Sequence, residues 1–229
     1  VLQEFGDLQR LDSLCANPDE QKLDRASLVR GPELIAHITG GVIPNATLTS
    51  MIFGLLLRSA QFVKCASGTA FIPRLFAHSL YEAEPKLGAC LEIAEWRGGS
   101  EHLENALFTE ADCVTATGSD ETLELIRKKL SQKTRFIGYG HQLSFAYVTE
   151  QVLSGMNPHK IVSRAAQDIV AWNQLGCLSP HVIYVESGGK ISAEKFAEML
   201  AAELHVIEQQ QPRGKLSTEE AAKVAYRRS

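Results

Sequence analysis

A thiol, an ammonium, a carboxamide and a cluster of small hydroxyl residues stand where an alternating strand-and-helix chain turns. Cys177 lies in Trp172-Asn173-Gln174-Leu175-Gly176-Cys177-Leu178-Ser179-Pro180, after a helical pattern and before the apolar run from His181 to Val185. A thiol at a glycine turn, with backbone amides and small polar groups beside it, is exposed and ionised more easily than a core thiol, so Cys177 is a candidate nucleophile. The competing possibility is one inert cysteine in a structural αβ domain. Thr117-Gly118-Ser119-Asp120-Glu121-Thr122 closes a strand and opens a helix. Free amides and the Ser119 hydroxyl can meet a pyrophosphate there, or do no more than cap the helix. Lys64 ends a strand and leads into Cys65-Ala66-Ser67-Gly68-Thr69. An ammonium and the Ser67 hydroxyl at one strand end suit ribose hydroxyls or a 2′-phosphate, although a lysine standing alone there is more often simply solvated. Asn45, after Ile43-Pro44, can donate its amide to a developing oxyanion or act as a plain N-cap.

The elements that must carry these groups follow from periodicity. Leu34 to Thr39 is an apolar run ending at Gly40-Gly41, and Asn45 opens a helix carrying Leu48, Ile52, Leu55 and Leu56. Gln61 to Cys65 reads as a strand and Thr69 to Glu82 as a helix. Ala89 to Ala94 follows as a strand, Glu101 to Ala106 as a helix and Ala111 to Thr115 as a strand. Repeated βα units predict a parallel sheet. Ser119 caps the clearest helix, with Asp120 and Glu121 at its positive end and Arg127, Lys128 and Lys129 at its other end. Two more strands are expected at Arg135 to Ile137 and Ser144 to Val148. A helix opens at Asn157-Pro158, a strand runs from His181 to Val185, and a long helix presents Phe196, Met199, Leu200, Leu204 and Ile207. Val1 to Arg30 reads as a helical lead-in, and Ser217-Thr218-Glu219-Glu220 as the capping box of a last helix.

Composition narrows the classes. The 229 residues, 45% hydrophobic and 22% charged, allow one large or two small domains with a sizeable core. A formal charge of −4, with both signs spread along the chain, gives no electrostatic argument for nucleic acid or an anionic membrane. The five cysteines are scattered and never spaced Cys-x-x-Cys, which favours a reducing cytoplasmic setting over disulfides or zinc. No metal site is expected, no apolar run is long enough to span a bilayer, and the start of the chain lacks the pattern of a signal peptide.

In combination, Phe62-Val63-Lys64, Ala116-Thr117-Gly118-Ser119, Gly138-Tyr139-Gly140-His141-Gln142-Leu143-Ser144-Phe145 and Gln174-Leu175-Gly176-Cys177-Leu178-Ser179-Pro180 resemble the aldehyde dehydrogenase superfamily. Within it they are similar to the acyl-CoA reductases of the LuxC type, over about Ile35 to Leu204. The resemblance implies an α/β fold: a Rossmann-like parallel sheet flanked by helices, residues 1–147, then the beginning of a second α/β catalytic domain, 148–229. It implies that Lys64, with Ser67, lies near the adenosine ribose and that Thr117, Gly118 and Ser119 contact the pyrophosphate. It also makes Asn45 the oxyanion donor and Cys177 the nucleophile.

Aldehyde-oxidising relatives carry a water-activating glutamate where this chain reads Gly138-Tyr139-Gly140-His141-Gln142, with no carboxylate. An enzyme that keeps its thioester for hydride attack gains from that loss. The implied reaction is reduction of an acyl-CoA or acyl-protein thioester by NADPH, or NADH, through a Cys177 acyl-enzyme with CoA as leaving group. His141 can assist proton transfer, although a lone histidine in such a turn is more often a structural hydrogen-bonder. Trp172 and Phe145 can wall an acyl channel, and large aromatics are more often core. The rival expectations are an aldehyde oxidiser and a non-catalytic nucleotide- or CoA-binding module. Relatives commonly pair as homo-oligomers, and they continue well beyond the point that matches Ser229, so the chain as given is expected to be incomplete for turnover.

Overall fold

The computed structural model describes residues 8–40, 45–140, 143–155, 157–174, 176, 178–212, 214, 218, 221, 222 and 226. His141, Cys177 and residues 41–44 lie outside the described residues, as do Ser217, Glu219 and Glu220 of the expected last capping box. The chain divides into two compact units, Val1–His141 and Gln142–Ser229.

In the first unit five short strands alternate with helices, and short parallel strands need helical crossovers to return them to the same edge. The strands are β1 (Leu34–Ile38), β2 (Ala60–Cys65), β3 (Leu91–Glu95), β4 (Cys113–Thr117) and β5 (Arg135–Tyr139). All pair in parallel, in the order β3-β2-β1-β4-β5. This is the doubly wound arrangement, in which the order reverses beside β1 and leaves a crevice at the strands' carboxyl ends. After a 3-10 turn at Leu8–Leu11 come the helices α1 (Pro18–Gln21), α2 (Asn45–Leu56), α3 (Phe71–Ala83), α4 (Pro85–Gly88), α5 (Glu101–Glu110) and α6 (Asp120–Lys129).

Strand alternation sorts the core into two layers. Ala36, Val114 and Ala116 pack with Leu107, Phe108 and Ile126 of α5 and α6 on one face. Met51 of α2 packs with Val63, Cys65, Ala70 and Leu91 on the other. That second face also buries a polar chain in which His37 Nδ1 lies 2.7 Å from Thr115 Oγ1 and His37 Nε2 lies 2.9 Å from Gln61 Oε1. Gln61 Nε2 donates to Met51 O at 3.1 Å. Because the amide nitrogen of Gln61 is committed to α2, its oxygen must accept from His37 Nε2–H, which leaves Nδ1 to accept from Thr115. Burial lowers the His37 pKa below its ordinary value, with the Gln61 hydrogen bond opposing part of that effect.

The lead-in is less helical than expected. Among its described residues only the 3-10 turn and the four-residue α1 are helical, and Cys15 and Ser27 form an antiparallel bridge. Asn17 and Glu20 close a capping box on α1, and Arg10 pairs with Glu20 at 2.6 Å. The Arg10 hydrogen bond and the Asn17 amide hold Glu20 down at about 2.

The second unit contains β6 (Phe145–Val148) and β7 (Val182–Val185), a parallel pair, with α7 (Glu150–Gly155), α8 (Pro158–Val170) and α9 (Ala193–Gln210). Its core joins Val148, Leu153, Val162 and Phe196, with Ile183, Val185, Met199 and Leu200 packed on it. The unit therefore begins before the sequence-based boundary at 147/148, because β6 pairs with β7 and not with the five-stranded sheet.

Candidate functional site

Register gathers the first unit's candidate residues at one edge. Ile38 pairs with Lys64 on one side and Ala116 on the other, Lys64 pairs with Ala94, and Ala116 pairs with Gly138. Lys64 and Ala116 therefore stand two strand spacings apart, about 9.5 Å, with Thr117-Gly118-Ser119 continuing from the second. Between them the chain leaving β1 reaches Gly40, where a Cβ would lie 2.6 Å from the Thr117 carbonyl oxygen. Only a glycine lets the two loops come this close.

Each group at the edge has a local reason for its place. Ser119 caps α6, its Oγ accepting from Thr122 N at 3.3 Å and lying 3.0 Å from Thr122 Oγ1. The acidic first turn and basic last turn of this helix suit its macrodipole, as the sequence suggested. Gly118 N donates to Tyr139 O at 3.3 Å, joining the turn to β5. Thr39 donates twice to the Lys64 carbonyl, from N at 3.0 Å and from Oγ1 at 3.3 Å, which fixes the lysine backbone. Ser67 is exposed on the following turn. That turn is held by Thr69 Oγ1 to Ala66 O at 2.8 Å and by Gly68 N to Glu95 Oε1 at 2.7 Å. The Lys64 side chain is 7% exposed and pairs with no carboxylate among the described residues. Its ammonium lies 6.0 Å from the Trp96 ring centroid. A cation, a hydroxyl and a helix N-terminus around a narrow crevice form a donor set that suits a phosphate-bearing dinucleotide. Thr39, Glu95 and Trp96 escaped the sequence reading. Trp96 had a signal in the Ala94 pairing of Lys64, which needs the register to be seen.

Asn45 is the first residue of α2 and is exposed. His141 and Cys177 lie outside the described residues. Around position 177 the described neighbours are well tied. Ser179 is buried, with N donating to Gly176 O at 3.0 Å and Oγ to Ala171 O at 3.2 Å. Trp172, Asn173 and Gln174 all have positive φ, at 56°, 54° and 63°. Three successive non-glycine residues in this region carry steric cost, and Asn is the type that tolerates it best. Trp172 and Phe145 are exposed, not core. Of the other cysteines Cys65 and Cys113 are buried, which raises both thiols and disfavours their thiolates, whereas Cys15 and Cys90 are half-buried.

The model of the family described as acyl-CoA reductase (LuxC) matches residues 2–229. The chain belongs to that family. A long-chain acyl-protein thioester reductase of Vibrio harveyi is 24% identical over 189 residues, a stretch covering 81% of this chain and 38% of that protein. Among solved structures, the putative aldehyde dehydrogenase PutA from Anabaena variabilis superposes with a TM-score of 0.59 at 23% identity, covering 77% of this chain and 36% of its own. The glyceraldehyde-3-phosphate dehydrogenase GapN from Methanocaldococcus jannaschii, complexed with NADP, gives 0.62 at 19% identity, with coverages of 78% and 38%. The fold is thus that of the aldehyde dehydrogenases: a helix-flanked parallel sheet, here as part of an acyl-CoA reductase (LuxC) family chain spanning well under half the length of these relatives. No helix among the described residues is long and apolar enough to cross a membrane.

Proposed function

We propose that this chain supplies the dinucleotide site and the nucleophile of an NADPH-dependent reductase that converts a long-chain acyl thioester, on CoA or on a protein, into the aldehyde. The observation that carries this is the carboxyl edge of the first unit, where register lines up Lys64 and the Thr117-Gly118-Ser119 turn on either side of β1. In this reading Val1–His141 is the dinucleotide domain, Lys64 and Ser67 hold the adenosine ribose and its 2′-phosphate, and Thr117, Gly118 and Ser119 hold the pyrophosphate. NADH, which lacks the 2′-phosphate, binds more weakly.

The covalent work would fall to Cys177, with Asn45 and His141 assisting. The Cys177 thiolate attacks the thioester carbonyl, the Asn45 amide and nearby backbone amides stabilise the oxyanion, and the carrier thiolate leaves to give an acyl-enzyme. His141 assists proton transfer to the departing carrier sulfur. Bound NADPH supplies the hydride that takes the acyl group to the aldehyde level. Turnover is proposed for a protein of the relatives' length, acting in a reducing cytoplasmic compartment and assembling from identical chains.

Mass spectrometry after incubation with a long-chain acyl-CoA tests the nucleophile. One acyl group is expected on Cys177, with release of one CoA and no adduct after Cys177→Ala. Acylation spread over Cys15 and Cys90, or none at all, would sink the mechanism. An unaltered NADPH affinity in that variant separates loss of chemistry from loss of the fold.

A further inference from the structure

The first unit holds an aromatic group that none of the roles above uses. Trp96 lies two residues beyond Ala94, the register partner of Lys64, so strand alternation places Trp96 and Lys64 on the same face of the sheet. The indole is fixed from behind by Phe62, ring centroids 5.9 Å apart and tilted by 52°, and it packs against the Ala36, Val114 and Phe108 core. Its Nε1 is buried without a hydrogen-bond partner. An unpaired buried N–H is destabilising, and a phenyl ring would fill the core without that cost, so the geometry retains the indole for its broad face. That face is turned toward the Lys64 ammonium at 6.0 Å, within the range of a cation–π contact, and tryptophan gives the strongest such contact.

The electrostatics around the pair point the same way. The carboxylate that feels the Lys64 charge is Glu104, and it is already engaged by Lys129 Nζ at 2.8 Å and Gly99 N at 2.8 Å. Lys64 therefore forms no ion pair with a carboxylate among the described residues, at the edge where an anion is proposed to bind. An aromatic face can orient such a cation without cancelling its charge, as a carboxylate would. A carboxylate in the place of Trp96 would have to be displaced before an anionic ligand could bind.

We propose that Trp96 is a positioning residue of the dinucleotide site, its indole face holding the Lys64 ammonium ready for the phosphate-bearing ribose end. The proposal rests on the dinucleotide function above. It is tested by isothermal titration of the intact chain with NADPH, with folding checked by circular dichroism. Trp96→Leu should weaken binding about tenfold. Trp96→Phe should retain most of the affinity, because it keeps a ring face, and should melt no lower than wild type, because it removes the unpaired N–H. In a Lys64→Met background Trp96→Leu should change the affinity no further, a dependence that a merely structural tryptophan would not produce. Unchanged affinity in Trp96→Leu, or additive losses in the double variant, would overturn the role of Trp96 and leave the dinucleotide reading intact. Failure of the wild-type chain to bind NADPH or NADH would remove the dinucleotide reading, and this inference with it.

Discussion

The two units are both parallel α/β structures, yet they manage their sheets in opposite ways. The central strands of the first are covered on both faces, with α2 and α3 on one and α5 and α6 on the other; β1 and β4 are buried along nearly their whole length, and the edge strand β5 leaves Ile137 and Tyr139 exposed. The two strands of the second alternate. Ala146, Val148, Ile183 and Val185 face inward, while Phe145, Tyr147, Val182 and Tyr184 are exposed, with Phe145 and Tyr184 edge to face at 5.8 Å. Parallel strands are normally buried on both sides, and the central strands of the first unit meet that requirement within the unit, whereas the strands of the second do not. Steric cost is also unequally placed. The first unit has its isolated positive-φ side chains at Asp24 and Arg58, whereas the second has three in a row, Trp172 to Gln174, a few residues before the candidate cysteine in sequence. Doubly covered central strands suit the task of holding a ligand, and backbone strain is commonly found beside reacting groups.

The sequence has two tryptophans, Trp96 and Trp172, one in each unit, so single-tryptophan variants report on each unit separately. The largest effect is expected at His37. Its replacement by Leu strips Gln61 and Thr115 of partners and should lower the stability of the first unit by about 3 kcal/mol, read from Trp96 fluorescence in urea. The same residue gives a pH signature. Burial lowers the folded pKa, so an unfolded chain takes up the proton first as pH falls below the ordinary value of 6.5. Stability of the first unit should be fully present above that pH and fall below it, by up to about 1.4 kcal/mol per pH unit. His37→Leu should remove this component of the slope. If the variant keeps the wild-type slope, His37 is not the group that titrates.

Gly54→Ala should have a smaller effect on the same unit. The new Cβ would run into the Gln61 side chain, which is anchored to His37 and Met51 and cannot withdraw freely. The overlap outweighs the gain in helix propensity, for a net loss of about 1–2 kcal/mol in the same urea titration. A more stable Gly54→Ala protein would mean that Gln61 has somewhere else to go. The smallest effect, and of opposite sign, is expected in the second unit. Gln174→Gly relieves one left-handed residue and should raise stability by about 0.5 kcal/mol, read from the Trp172 transition. A loss there would show that the Gln174 side chain makes contacts worth more than the backbone strain.

Much of this architecture was legible from local pattern. The Ser119 cap and the charge gradient of α6, the Asn157-Pro158 start of α8, and the order of strands and helices follow from capping, dipole and periodicity, which act within a few residues. Strand limits were less legible. The strand expected at Ala111 to Thr115 runs from Cys113 to Thr117, because Ala111 and Asp112 serve the end of α5 and the entry to the sheet. Hidden altogether was the polar chain through His37, Gln61 and Thr115, three residues that look like unrelated polar interruptions until parallel register sets them side by side.

By itself the sequence determined the residue types able to do chemistry, their places at the ends of strands, and the family to which the chain belongs. Those are properties of spacing and identity along one chain. Tertiary structure alone decided that Lys64 stands opposite Ala116 across β1, that Gly40 comes against Thr117, and that Trp96 lies under the lysine. Each depends on which strands pair and in what register, and register is fixed by burial of a whole sheet, which no local run of residues specifies.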